Sequence, residues 1–103
     1  MSAPDTILVV GNPSSHSGKA AKRIEKVLSL MDRLGIRHQF KATLPSRGTV
    51  GMVADSIAHE GFRTVVYLGG DGTFYEVATG IIQSGAASEV RLGMLPSGTA
   101  NAN

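Results

Sequence analysis

Four short β-rich runs alternate with three longer segments of helical period, and few folds accept that order. Thr6 to Val10 is apolar at successive positions, as in a strand buried on both faces. Ile36 to Thr43 alternates instead, with Ile36, His38 and Phe40 opposed to Arg37, Gln39 and Lys41, which suits a less buried strand. Arg63 to Leu68 and Val90 to Leu95 supply the other two runs. Between them, Lys19 to Leu34 carries a stripe of Ile24, Val27, Leu28, Met31 and Leu34. Ser17 stands as its N-cap and Gly35 as its terminator. Thr49 to His59 offers Val50, Val53, Ala54, Ile57 and Ala58 to a core and is closed by Gly61, and Phe74 to Ser84 offers Val77, Ala78, Ile81 and Ile82. The order β-α-β-α-β-α-β predicts an α/β fold with a parallel sheet and helices on both faces.

Such sheets bind ligands outside the carboxyl ends of their strands. The polar, glycine-bearing loops fall at that edge: 11–18, 43–48, 69–73 and 96–101. The centre of the pattern is Gly69-Gly70-Asp71-Gly72-Thr73, a glycine turn between the most strand-like run and a helix start. Glycine admits a ligand close to the main chain, and helix N–H groups attract anions. Thr73 and Glu76 also read as a capping box, which would give the turn a purely structural role. Capping leaves Asp71 unexplained. A carboxylate beside phosphate calls for an intervening Mg²⁺ ion or a hydroxyl-bearing ligand.

Two common nucleotide motifs are excluded. Six residues separate Gly11 from Gly18-Lys19 where a P-loop needs four, and Ala20 stands where Ser or Thr would hold magnesium. The glycine turn is not G-x-G-x-x-G, because Tyr75 takes the last position. The absence of cysteine excludes disulfides and thiol chemistry and fits a reducing cytoplasm. No apolar run approaches the roughly 20 residues of a membrane span, and Met1-Ser2-Ala3-Pro4-Asp5 lacks the features of a signal peptide. His16, His38 and His59 show no metal spacing. Lys19, Lys22, Arg23 and Lys26 cluster on one helix and read first as a solvated face, with anionic phosphate or a membrane surface as the other reading. A net charge of +2 with five aromatic residues argues against a nucleic-acid partner.

The glycine turn resembles the GGDGT signature shared by diacylglycerol, sphingosine and bacterial lipid kinases and by NAD kinases; phosphofructokinases carry a close relative of it. Asn12-Pro13 followed by Ser17-Gly18 resembles the N-P-x-S-G opening of the lipid-kinase branch. Thr43 matches its nucleotide-contacting threonine, and Leu92 to Asn101 resembles its G-x-L-P-x-G-T-x-N segment. The resemblance to the diacylglycerol kinase catalytic domain runs from the first strand to the last residue. It implies that residues 1–103 form an N-terminal nucleotide-binding domain whose β-rich partner domain lies elsewhere. It implies ATP and Mg²⁺ as cofactors and transfer of the γ-phosphate to a lipid hydroxyl, in the cytoplasm with peripheral membrane contact.

Site roles carried over by the same resemblance place Asn12, Ser14, Ser17 and Gly18 beside the phosphates and Thr43 on the nucleotide. Gly69, Gly70, Asp71, Gly72, Thr73 and Glu76 would form the nucleotide turn, with Asp71 catalytic, and Thr99 and Asn101 would stand on the same edge. The metal ligands, the general base and the lipid site are expected beyond Asn103, so this stretch alone should not turn over. Hydrophobic surface facing the rest of the protein would resemble a homo-oligomer interface. The sequence departs from the family at Tyr75, Ala102 and Asn103, where Asn, Asp and an apolar residue are frequent. Two alternatives stand beside this reading: an NAD-kinase-like enzyme, and a nucleotide-binding or interaction module without catalysis.

Overall fold

A computed structural model describes residues 5–15 and 17–95. Its order is β1 (Ile7–Gly11), α1 (Lys19–Arg33), β2 (His38–Ala42), α2 (Gly48–Glu60), β3 (Thr64–Leu68), α3 (Asp71–Gln83), a 3-10 turn (Ala87–Glu89) and β4 (Arg91–Met94). The strands form one sheet in the order β2-β1-β3-β4, and every pairing is parallel. The expected alternation and sheet type are therefore those observed. The chain steps from β1 to β2 on one side and then to β3 on the other. This reversal beside β1 is the switch point at which such sheets take ligands.

Strand period two divides the core into two layers. Leu8 and Val10 of β1 stand in register with Val65 and Tyr67 of β3 and pack with Val53, Ile57, Phe62, Val77 and Ile81 beneath α2 and α3. Val9 and Leu68 point the other way and meet Ile24 and Met31 of α1. β2 lies at the sheet edge, so its side chains are only half-buried or exposed, as its alternation predicts. Gly35 ends α1 as expected: the Gly35 N–H donates to the Asp32 carbonyl and the Ile36 N–H to that of Met31.

Four local expectations are corrected. Leu34, read on the apolar stripe of α1, is the C-cap of the helix and 63% exposed. Ile82 is 70% exposed, and Gly80 is buried in its place. Ala58 is exposed, whereas Thr49 and Ser56 are fully buried on α2. Apolar spacing cannot find these two, because hydroxyls reach the interior only when partnered. The Ser56 hydroxyl donates to the Met52 carbonyl and accepts from Lys41 Nζ, both at 2.8 Å, while Lys41 also reaches Glu60 Oε2 at 2.8 Å. Edge strand β2 is thereby tied to α2. Finally, Ser17 is not a cap: α1 starts after Gly18, which is left-handed at φ 88°, and no side chain caps it.

Gly80 sets the distance between α2 and α3. A Cβ there would lie 2.7 Å from the Val50 carbonyl oxygen and 2.8 Å from Val53 Cβ. Neither atom can swing aside as a flexible side-chain end would. Gly51 on α2 has open space around it. Gly80→Ala is expected to destabilise the fold by about 1–3 kcal/mol, as overpacking does. Gly51→Ala should instead add about 0.5–1 kcal/mol through helix propensity. Paired urea titrations read both, and equal behaviour of the two variants would contradict this account of the helix contact.

Candidate nucleotide site

Because all four strands are parallel, their carboxyl ends share one rim, and the loops after β1, β2 and β3 meet there. The loop after β1 folds back at once. Asn12 Oδ1 accepts the Ser14 N–H at 3.0 Å, and the Asn12 carbonyl accepts that of Ser15 at 3.1 Å. The loop after β2 is pinned to β1, since the Thr43 N–H donates to the Gly11 carbonyl at 2.9 Å. That bond sets Thr43 beside Asn12.

The 43–48 loop is shaped by a residue that apolar patterning overlooks. Thr49 Oγ1 accepts the Leu44 N–H at 2.8 Å. With its two ends tied, the loop turns through Ser46 and Arg47, both left-handed at φ 55° and 64°. Residues other than glycine rarely hold that conformation, and such strain gathers at functional sites. The turn aims Arg47 at α3, where its guanidinium lies 5.6 Å from the centre of the Tyr75 ring.

The third wall is the glycine turn. The helix starts at Asp71, after the N-cap Gly70, so Thr73 lies within the first turn and the expected capping box is not formed. Thr73 folds back onto the turn instead. A Cβ on Gly69 would come within 2.6 Å of Thr73 Oγ1. Glycine is required there by this close approach. Helices α1, α2 and α3 all begin at this rim, after Gly18, Arg47 and Gly70, and none has a side-chain cap. Their first N–H groups have no partner within the helix and carry the positive end of its dipole.

A cleft of about 360 Å³ lies between these loops. Asn12 contributes from the first, Thr43, Leu44, Pro45, Ser46 and Arg47 from the second, and Gly72, Thr73 and Glu76 from α3. The volume is within the range of small-molecule sites, roughly 300–1,000 Å³. Of the residues expected at the site, Asn12, Thr43, Gly72, Thr73 and Glu76 are brought together. Asp71 is exposed at the first position of α3, and it does not line this cleft; neither do Gly69, Gly70, Ser14, Ser17 and Gly18. Thr99 and Asn101 lie outside the described residues. The reading of the sequence missed Arg47 and the Leu44–Ser46 wall. The signal was present: a cation in a loop at a strand's carboxyl end is placed to meet an anion. Among the described residues, no three His, Asp or Glu side chains group as a metal site, and no helix is long and apolar enough to cross a membrane.

Fold and cleft together define an α/β domain with an open cleft at its switch point, walled by Arg47 and the first turn of α3. Residues 6–103 match the model of the diacylglycerol kinase catalytic domain, and the chain belongs to that family. It is 32% identical over 98 residues to the "Probable lipid kinase YegS" of Salmonella arizonae and 33% identical to the "Probable lipid kinase YegS-like" of Enterobacter sp. (strain 638). Each alignment covers 95% of this chain and 31% of the relative, so the chain spans about a third of the curated relatives it matches. Its fold is similar to that of "A putative diacylglycerol kinase from Bacillus anthracis str. Sterne", with a TM-score of 0.67 and 22% identity over 92% of this chain and 33% of the other.

The Thr49 staple yields a direct test. Thr49→Val keeps the volume and removes the acceptor, leaving the Leu44 N–H unpaired. The fold should lose about 1 kcal/mol. Amide exchange at residues 44–48 should accelerate while that of β3 stays as it was. Unaltered exchange in the loop would show that Thr49 does not hold it.

Proposed function

We propose that this chain is the nucleotide-binding part of a lipid kinase that moves the γ-phosphoryl group of ATP to a lipid hydroxyl. The observation that carries the reading is the convergence of three strand-end loops, and the starts of α2 and α3 without side-chain caps, on one cleft. Arg47 and the N–H groups of Gly72 and Thr73 offer positive potential to phosphate oxygens. Asn12 and Thr43 offer neutral polar groups on the facing wall. Membership of the diacylglycerol kinase catalytic family supports a phosphoryl-transfer assignment.

In the proposed reaction the lipid oxygen attacks the γ-phosphorus, and the bond from that phosphorus to the β–γ bridging oxygen breaks. ADP leaves, and the hydroxyl proton passes to a base outside residues 1–103. The acceptor lipid is also assigned outside them, because the matched relatives are about three times as long. Such chemistry depends on positioning and charge stabilisation. Magnesium ions are commonly held by one or two carboxylates together with substrate phosphates. Asp71, exposed at the first position of α3, would share in holding such an ion, with its other protein ligands outside residues 1–103. The ion would neutralise phosphate charge there.

Two variants of the intact protein test the assignment. Asp71→Asn should lower kcat at least 100-fold, the scale of losing one transition-state electrostatic contact. Unchanged turnover would remove Asp71 from the mechanism. Arg47→Ala should raise the KM for ATP about tenfold, as loss of a hydrogen bond to a charged group does. ATP binding without transfer to any lipid would instead favour a non-catalytic module.

A further inference from the structure

Among the described residues two cations lie over aromatic rings, and they differ in what their donors do. Lys41 Nζ is 5.7 Å from the centre of the Phe62 ring, but it also bonds Ser56 and Glu60, both at 2.8 Å. That contact belongs to the packing of β2 on α2. The Arg47 guanidinium, 5.6 Å from the centre of the Tyr75 ring, is in no ion pair among the described residues. The guanidinium hydrogen bonds there are made by Arg37 and Arg63. Arg47 thus lines the cleft with its charge uncancelled and its donors unclaimed by those residues.

Tyr75 has no core to fill. Its neighbour Phe74 turns to Tyr67 of β3, with ring centres 5.8 Å apart. Consecutive helix residues diverge by roughly 100°, so Tyr75 leaves that side of α3, and it is 58% exposed. It does not line the cleft either. Its contact is with Arg47, and the chemistry of that contact is selective. An aromatic face attracts the flat guanidinium through its quadrupole, while the N–H groups, which lie in the guanidinium plane, stay able to donate. A carboxylate partner would occupy those donors and cancel the charge.

We propose that Tyr75 is a positioning residue: its ring holds the Arg47 guanidinium at the cleft with the N–H groups free for the ligand's phosphate chain. The proposal rests on the nucleotide-binding reading for the identity of that ligand. The left-handed turn at Ser46 and Arg47 fixes the root of the side chain, and the ring fixes its head. A free arginine gives up much rotamer freedom when it grips an anion. Holding it beforehand reduces that loss and raises affinity from a residue outside the cleft. Tyr75 is also one of the positions at which the sequence departs from its family, and Arg47 lies in none of the shared motifs.

Calorimetric titration of the intact protein with ATP, and separately with inorganic tripolyphosphate, tests the role. Tyr75→Leu removes the ring and keeps a good helix former. It should weaken both ligands about two- to fivefold, the worth of an exposed cation–π contact. The KM for ATP should rise in step while kcat holds. Tyr75→Phe keeps the face and should bind as wild type does. In an Arg47→Ala background, Tyr75→Leu should change nothing further. Wild-type affinity in Tyr75→Leu would overturn the proposal. So would an equal loss in Tyr75→Phe, which points to the hydroxyl, or a loss that persists without Arg47, which puts Tyr75 on the ligand itself. The Arg47 side-chain proton resonances give a readout without ligand. The ring should shift them upfield in wild type and in Tyr75→Phe but not in Tyr75→Leu, and their indifference to Tyr75→Leu would also overturn it. If ATP and tripolyphosphate follow this pattern while no lipid is phosphorylated, the kinase reading fails and the positioning role stands. If the wild type binds neither, the positioning role fails.

Discussion

The structure depends on β1 pairing in parallel with strands on both of its sides. Val9 and Val10 are fully buried because β2 and β3 flank β1 and helices cover both faces. One central strand thus collects the two halves of the core. The same pairing gives the site its direction. Parallel neighbours end together, so the loop that leaves each strand emerges at a common level. The Thr43-to-Gly11 bond continues the β1–β2 ladder one step past the strands and carries order into the loops.

Around that frame, polar groups fix what apolar packing leaves loose. Lys41 ties the edge strand to α2 through Ser56 and Glu60, and Thr49 closes the start of α2 onto the loop before it. Both hydroxyls are buried, and both hold main chain rather than ligand. Thr49 acts on the cleft indirectly: it ties the loop whose left-handed turn directs Arg47 toward α3. The cation at the cleft is therefore supported by a side chain that carries no charge of its own.

The sheet and its order were legible because period two and period 3.6 differ over segments of this length. The apolar runs of β1 and β3 and the stripe on α1 could hardly serve another element. The helix starts were less legible. Ser17 and Thr73 look like caps, but the backbone turns at Gly18 and Gly70, and cap preference is weaker than the geometry of a tight βα connection. The buried face of α2 was misjudged where Thr49 and Ser56 are buried and Ala58 is not, since hydropathy does not record a hydroxyl's partner. At the site, the glycine turn was read from its place between a strand and a helix start, and Asn12 and Thr43 from resemblance to a family. Arg47 has no motif, and its place follows from a φ angle that no single residue announces.

The contact at Gly80 has a consequence beyond packing. Val50 stands one turn beyond Arg47 on α2, and Gly80 stands one turn beyond Glu76 on α3. The bare α-carbon at 80 works as the fulcrum of a pair of tongs whose tips are Arg47 and Glu76. Any bulk inserted at the fulcrum would spread the tips and reshape the cleft from a residue that does not line it.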